Sequence, residues 1–218
     1  MIIGVCGLIG AGKDTMADYL VNIHEFRRDS FAGTLKDAVA AVFGWDRDLL
    51  EGRTRHSREW REQVDAWWAD RLNMPNLTPR LVLQSWGTEV CRRGFHDNIW
   101  ITSLENKLRN TKDSVVISDC RFPNEILSIR NAGGMVVRVV RGSEPDWYND
   151  AVIANTNPGH AEWQQAKNNM AQRNIHVSET AWVGSKFDYV IKNNGSLDHL
   201  YQQINQLVTT MPSLVRSS

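Results

Sequence analysis

The sequence lacks an excess of charge of either sign. Its 218 residues carry 25 lysines and arginines against 25 aspartates and glutamates, so the formal net charge is zero. Proteins that clamp DNA or RNA usually have a basic surplus, so we expect no nucleic-acid partner. No run approaches the ~20 apolar residues of a membrane-spanning helix. The first residues also lack the charged start and long apolar core of a signal peptide, so we expect no membrane partner.

Cysteine is scarce. Cys6, Cys91 and Cys120 are widely spaced, and no CxxC pair exists. A zinc site is therefore not predicted. Free cysteines that behave as small buried residues fit a reducing, cytoplasmic setting.

Apolar runs of strand type alternate with helical patterns along the chain. Strands are predicted at residues 2–6, just before Phe31, and at 115–119, 135–141 and 187–193. Helices are predicted at about 13–24 and 35–43, as one helix over EWREQVDAWWADRL, from Pro79 through Arg93, over HDNIWITSLENKLRN and FPNEILSIRNAGG, around 160–172, and after a cap at Ser196. Such alternation predicts an α/β fold with a parallel sheet covered on both faces. The last eight residues are expected to fray.

Two polar stretches interrupt this alternation, at residues 46–80 and 142–180. We interpret them as insertions on one α/β domain that spans residues 1–218, rather than as separate domains. No internal repeat or low-complexity tract is present.

A glycine-rich loop follows the first predicted strand. GLIGAGKDT, residues 7–15, nearly matches the phosphate-binding pattern G-x-x-x-x-G-K-[ST]. Glycines let backbone N–H groups point at phosphate oxygens, and the positive end of the following helix faces the same anion. Lys13 adds a point charge that reaches the β- and γ-phosphates. The candidate nucleotide-binding residues are Gly10, Ala11, Gly12, Lys13, Asp14 and Thr15; a strand–helix turn without a ligand is the alternative.

Asp14 stands where the pattern has a hydroxyl, which comes one residue later as Thr15. A carboxylate is a hard oxygen ligand, so Asp14 is a candidate ligand of Mg²⁺, directly or through water. The alternative is an acidic residue that only favours the helix dipole. Thr15 is a candidate donor to the α-phosphate.

Five patches in this order resemble the bacteriophage deoxynucleoside monophosphate kinase family, which also has Gly-Lys-Asp-Thr in its loop. They are GLIGAGKDT, FAGTLKDAVAAVFG, LQSWGTEVCRRGFHDNIWI, VVISDCRFPNEI and FDYVIKNNGSLDHL. The resemblance implies a P-loop NTPase three-layer sandwich with helical acceptor-binding and lid insertions, at 46–80 and 142–180. It also implies ATP and Mg²⁺ as cofactors and small-molecule nucleotides as substrates, in the host cytoplasm. Residues 46–80 and 142–174 match the family poorly, so no roles are carried over there.

The acceptor is expected near two of these patches. Phe31 is predicted to stack on the acceptor base and Lys36 to meet its phosphate, unless FAGTLK is a plain strand–helix turn. Gln84 carries an amide that can read a base edge. Arg92 or Arg93, about two turns later, is predicted to contact the acceptor phosphate. The alternative for these three is a polar helix face with solvated arginines.

Further candidates lie at strand ends, where open α/β sheets bind ligands. Asp119 is predicted to hold Mg²⁺ through water or to act as a base, and Arg121 to bind a phosphate; a structural Asp119–Arg121 pair is the alternative. Arg141 is the preferred lid arginine, to stabilise transition-state charge. The other arginines considered for that role are Arg130, Arg138 and Arg173.

Two candidates come from the later patches. Glu179, in HVSE, resembles a family patch and is assigned to lid closure or to acceptor contact. Asn194 is predicted to back the adenine ring, or else to belong to a simple turn.

These features predict transfer of the ATP γ-phosphate to a deoxynucleoside monophosphate. A P-loop kinase of another small acceptor, such as dephospho-coenzyme A or phosphomevalonate, is one alternative. A non-catalytic ATP-binding regulator is the other. A homodimer stays open, because the sequence does not settle the oligomeric state.

Overall fold

A computed structural model describes residues 1–109, 111–173 and 175–214, with side chains up to Thr210. The chain forms two compact units, one made of the segment up to Ser30 and the segment from Thr111 onward, the other beginning at Phe31 and ending before Thr111. The prediction of one domain with two insertions stays a prediction. No helix in the described part of the chain is long and apolar enough to cross a membrane.

The first unit is built on a five-stranded sheet. Its strands are β1 (Ile2–Cys6), β2 (Arg27–Asp29), β3 (Val115–Ile117), β4 (Met135–Val140) and β5 (Tyr189–Lys192). Their order is β2-β3-β1-β4-β5, and every neighbouring pair is parallel. This confirms the predicted α/β fold with a parallel sheet. Because β1 lies between β3 and β4, the chain leaves β1 at a point where the strand order reverses, which is where such sheets bind ligands.

Helices of the first unit follow the strands. They are α1 (Lys13–His24), α8 (Pro123–Asn131), α9 (Tyr148–Thr156), α10 (Trp163–Gln172), α11 (Val177–Thr180) and α12 (Leu197–Leu214). The core joins Ile3 and Val137 of the sheet to Leu20 of α1 and Ile204 of α12, all fully buried. The N–H of His199 donates to Ser196 Oγ at 3.3 Å, as expected of the predicted cap. Of the tail predicted to fray, 211–214 is helical and 215–218 lies outside the described residues.

Sequence patterns missed α9. The sequence of this helix, YNDAVIANT, has no one-sided apolar stripe, so its periodicity gave no helical signal. Tertiary contacts hold it instead: Ala151 is buried, and the Tyr148 ring lies 6.4 Å from that of Trp182.

The second unit is helical. It contains α2 (Gly33–Phe43), α3 (Arg47–Glu51), α4 (Arg55–Arg61), α5 (Ala66–Arg71), α6 (Pro79–Gln84), a π-helical segment (Ser85–Arg93) and α7 (Ile99–Leu108). Val39, Leu50 and Leu77 are almost completely buried in its core. Six of the nine tryptophans belong to this unit, and Phe43 stacks on Trp45 with ring centroids 4.4 Å apart.

The prediction of one helix over EWREQVDAWWADRL is wrong, because the structure has two helices there. Helix α4 ends at Arg61, and α5 begins at Ala66. The break arises because Asp65 is an N-cap, whose side chain accepts from the N–H of Trp68 at 3.1 Å. The same carboxylate accepts from the indole N–H of Trp45 at 2.7 Å.

The helix predicted from Pro79 through Arg93 is continuous, but it changes to π-helical geometry after Gln84. Gly87 lies in this part, and its carbonyl accepts from the indole of Trp100 at 2.9 Å. Helices often widen in this way at functional sites. Leu35 of the same unit also approaches Gly87 closely, since a Cβ placed there would lie 3.0 Å from Leu35 Cδ2.

We expect Asp65→Ala to lower the free energy of unfolding by about 2 kcal/mol, since it removes a helix cap and leaves the buried Trp45 indole unpaired. Urea unfolding followed by tryptophan fluorescence measures the change. The exposed Asp70, on the same helix, provides the control, and Asp70→Ala should shift the free energy by less than about 0.5 kcal/mol. Equal losses in the two variants would contradict this role for Asp65.

Candidate active site

The glycine-rich loop connects β1 to α1 and adopts a backbone that side chains would disturb. Gly12 is in the left-handed region, with φ +104°, and a Cβ placed there would lie 2.4 Å from Nδ2 of Asn193. Gly7 has φ +147°, and its Cβ would lie 2.4 Å from the carbonyl oxygen of Val139. These two positions therefore require glycine for both backbone and space.

The loop borders a cavity of about 340 Å³. Residues from the loop, from the end of β4 and from the turn after β5 line it: Gly10, Gly12, Lys13, Asp14, Thr15, Arg141, Asn193, Gly195 and Leu197. The structure thus brings the predicted loop residues together with Arg141. It does so at the carboxyl ends of parallel strands, as expected for a ligand site in this type of sheet.

Lys13 is folded back over the loop. Its Nζ donates to the carbonyl oxygens of Gly7 and Leu8, both at 2.9 Å. Burial and the neighbouring Arg121 lower its pKa, while Asp14 and Glu179 act in the opposite direction. An anion in the cavity would favour the charged form and offset the burial.

Asp14 lies at the cavity rim, with its side chain 78% exposed. Arg28 of β2 donates to Asp14 Oδ1, to Asp18 at 2.7 Å and to Ser118 Oγ at 2.8 Å. Asp14 Oδ2 has no hydrogen-bond partner in the described chain. One oriented carboxylate with a free oxygen beside a phosphate loop suits Mg²⁺, which proteins usually hold by one or two carboxylates plus substrate phosphates. No cluster of three or more His, Cys, Asp or Glu side chains with metal-binding geometry occurs among the described residues.

Arg121 follows β3 and pairs with Glu179 of α11, with Ser178 Oγ 3.4 Å from its Nη1. The loop that carries it is held by the buried Glu125, whose Oε2 accepts from the N–H groups of Arg121 and Phe122 at 2.8 and 3.1 Å. The structure therefore brings two predicted residues, Arg121 and Glu179, into one ion pair close enough to act on Lys13. Asp119, two residues before Arg121 in the chain, is half-buried.

The arginines considered for the lid role differ in their partners. Arg130 pairs with Asp188 and Arg173 with Asp146. Arg138 pairs with Glu144 and faces the rings of Tyr148, Trp182 and Phe187 at 4.8 to 5.9 Å. Arg141 is exposed, lines the cavity and has no acidic partner within the described part of the chain.

Sequence reasoning chose Asn194 and missed its neighbour. Asn193 Nδ2 donates to the carbonyl of Ala11 at 2.9 Å, and Asn193 lines the cavity. Asn194 Oδ1 accepts from the N–H of Gly142 at 2.7 Å, so it ties together the turns after β4 and β5. The strand-end rule that indicated Asp119 also applied to Asn193, the first residue after β5. Arg28 was missed as well, and it had no comparable signal.

The acceptor candidates of the second unit are held by acidic neighbours. Lys36 donates to Glu51 at 2.8 Å, Arg92 lies 3.7 Å from Asp97, and Arg93 lies 3.6 Å from Glu89. Although burial raises the pKa of Glu51, Lys36 and Arg47 lower it to about 2. Phe31 is only 3% exposed, whereas Gln84 is exposed.

Comparison with known proteins gives two curated relatives of viral origin. A protein of Acanthamoeba polyphaga mimivirus named "Putative deoxynucleotide monophosphate kinase" is 30% identical over 219 residues, covering 94% of each chain. The deoxynucleoside-5'-monophosphate kinase of Escherichia phage T5 is 26% identical over 174 residues, covering 57% of this chain and 70% of the phage protein. No model of a protein family matches the chain.

Solved structures give weaker likenesses. The dephospho-CoA kinase of Campylobacter jejuni is 16% identical with a TM-score of 0.41, and the shikimate kinase of Aquifex aeolicus is 12% identical with a TM-score of 0.42. Each alignment covers 96% of both chains. Both scores lie below 0.5. The mimivirus relative, at 30% identity over nearly the whole length, is decisive: the chain belongs to the deoxynucleoside monophosphate kinase family.

Proposed function

We propose that this protein transfers the γ-phosphate of ATP to a deoxynucleoside monophosphate, giving a deoxynucleoside diphosphate and ADP. The observation that carries the proposal is the cavity formed by the glycine loop, Lys13 and Arg141, in a chain of this family. The names of the viral relatives supply the acceptor class. Both compact units would then belong to one kinase domain, with residues 46–80 on the acceptor side and 142–180 as the lid.

The loop residues would bind the nucleotide through backbone N–H groups, with Lys13 on the β- and γ-phosphates. Asp14, and Asp119 through water, would hold Mg²⁺, which would supply positive charge for the phosphate oxygens. An oxygen of the acceptor phosphate would attack the γ-phosphorus in line, and the bond from that phosphorus to the β–γ bridging oxygen would break. ADP would leave with that bond's electrons. Arg121 and Arg141 would stabilise the charge that develops.

Such catalysis consists mainly of positioning and electrostatic stabilisation. Arg28 fits that requirement, because its guanidinium fixes one oxygen of Asp14 and leaves the other open. Asn193 fixes the backbone of the glycine loop, because its Nδ2 donates to the Ala11 carbonyl. Asn194 would contact the adenine ring, and Thr15 would donate to the α-phosphate.

The defining experiment is a panel of acceptors with ATP and Mg²⁺. We expect transfer to at least one deoxynucleoside monophosphate, and a fall in kcat of about 10²- to 10³-fold in Lys13→Ala, because a phosphate-charge stabiliser is lost. Release of ADP and formation of the diphosphate are the measurements. Transfer only to dephospho-coenzyme A or phosphomevalonate would point to another acceptor. Tight ATP binding with no phosphorylated product would point to a regulator.

Arg141→Ala should lower kcat by about 10²-fold, because an unpaired guanidinium at the cavity is free to meet developing charge. Its exposure predicts an unchanged melting temperature. Arg173→Ala, which breaks an exposed pair with Asp146 in the insertion 142–180, is the control and should stay near wild type. A larger loss in the Arg173 variant than in the Arg141 variant would reverse the assignment.

Arg28→Met should raise the Mg²⁺ concentration needed to tighten ATP binding by about 10- to 100-fold, because residues that orient a metal ligand have effects of that size. Equilibrium binding of a fluorescent ATP analogue, titrated with Mg²⁺, measures it without turnover. Asp18→Asn removes the other carboxylate on Arg28 and should change the Mg²⁺ requirement little. Identical Mg²⁺ titrations of wild type and Arg28→Met would show that Asp14 needs no orientation by Arg28.

A further inference from the structure

Helix α4 carries an arginine that differs from the acceptor candidates of the second unit. Lys36, Arg92 and Arg93 each have an acidic neighbour. Arg61, the last residue of α4, has no acidic partner in the described part of the chain. Its one hydrogen-bond contact is Nη1 with the Leu50 carbonyl at 3.5 Å, beyond the usual range.

The Arg61 side chain is nevertheless partly removed from water. Its Nε is buried and has no hydrogen-bond partner. The group packs against the backbone at Gly52, where a Cβ would lie 2.1 Å from Arg61 Cζ. Gly52 has φ +68°, so both its conformation and the space kept for Arg61 require glycine. A half-buried guanidinium whose Nε is buried without a partner is unfavourable unless an anion completes the site.

The charges around Arg61 do not supply that anion. Burial and Arg80 lower its pKa, and Arg58 acts in the same direction. The two nearest carboxylates raise it, but both are engaged elsewhere. Glu62 lies 3.2 Å from Arg80, and Glu51 accepts from Lys36 and Arg47.

We propose that Arg61, assisted by Arg80, binds the phosphate group of the acceptor nucleotide. The ligand class is a phosphate monoester, whose dianion offers several oxygens to the donors of a guanidinium fork. This inference rests on the proposed function, because the acceptor is taken to be a deoxynucleoside monophosphate. It also gives a role to the segment 46–80, where the family resemblance assigned no residue.

A purely structural role would leave a different signature. Arg61 lies near the carbonyl of Leu50 in the last turn of α3, and Arg58 donates to the carbonyl of Arg53, two residues after α3, at 2.8 Å. Cations at the carboxyl end of a helix stabilise it through the helix dipole. In that case Arg61 variants would lose stability without any preference between a nucleoside and its monophosphate.

The test compares Arg61→Gln and Arg61→Lys with Arg55→Gln. Arg55 lies on the same helix, pairs with Glu59 and is 88% exposed, so it is a matched control. We expect Arg61→Gln to raise the KM for the deoxynucleoside monophosphate by about 10- to 100-fold, as loss of a hydrogen bond to a charged group does. The KM for ATP should not change, and Arg61→Lys should fall between Arg61→Gln and wild type. Arg80→Gln should raise the same KM by a smaller factor.

Equilibrium binding separates phosphate recognition from folding. Wild type should bind each deoxynucleoside monophosphate more tightly than its deoxynucleoside, and Arg61→Gln should reduce this ratio by the same 10- to 100-fold. An equal KM for acceptor in Arg61→Gln and Arg55→Gln, or an unchanged binding ratio, would overturn the inference. If Arg61→Gln does not fold, Arg61→Lys and the half-exposed Arg80→Gln decide by the same ratio.

Failure of the proposed function itself would look different. In that case wild type would transfer phosphate to no deoxynucleoside monophosphate. The anion site would then be judged with inorganic phosphate as the probe, by calorimetric titration of wild type, Arg61→Gln and Arg55→Gln. Binding lost only in Arg61→Gln would support the site, and equal binding in all three would overturn it.

Discussion

The hydrogen bonds that hold the glycine loop in shape are the constraint on which the site depends. Lys13 satisfies the carbonyls of Gly7 and Leu8, and Asn193 satisfies that of Ala11. The N–H of Ala11 donates to the Leu8 carbonyl at 3.2 Å, so an anion would be bound by other N–H groups of the loop. The same contacts explain why Gly7 and Gly12 must lack a side chain, since Val139 and Asn193 occupy the space.

The arginines differ in whether a neighbouring carboxylate already balances their charge. The chain has as many acidic as basic residues. Several of its arginines, among them Arg28, Arg121 and Arg130, have a carboxylate neighbour. Arg141 at the cavity and Arg61 at the end of α4 lack one in the described part of the chain. An unpaired arginine binds an anion at lower cost, because an arginine that is already paired must first lose its partner.

Short-range patterns predicted the elements that short-range forces control. The strand Ile2–Cys6, the loop after it and the helix from Lys13 follow from apolar runs, glycine spacing and the lysine. Where packing decides, the same reasoning failed. The chain from Glu59 to Leu72 has a helical pattern throughout, but the Asp65 cap and its bond to Trp45 divide it. Helix α9 has no helical periodicity of apolar residues. Its contacts are tertiary, because Ala151 is buried and Tyr148 packs near Trp182.

The sequence by itself determined the α/β class, through the alternation of strand and helix patterns, and the glycine loop with Lys13 at its end, because both are patterns of residues that are close in the chain. Only the tertiary structure decided the partners. Arg28 meets Ser118 across 90 residues, Arg121 meets Glu179 across 58, and Asn193 meets Ala11 across 182. Strand order brings these residues together, and a sequence read locally does not contain that order. Ion pairing also depends on neighbours in space. Only the fold therefore distinguishes Arg141, which lines the cavity, from Arg130, Arg138 and Arg173, which pair with acidic residues.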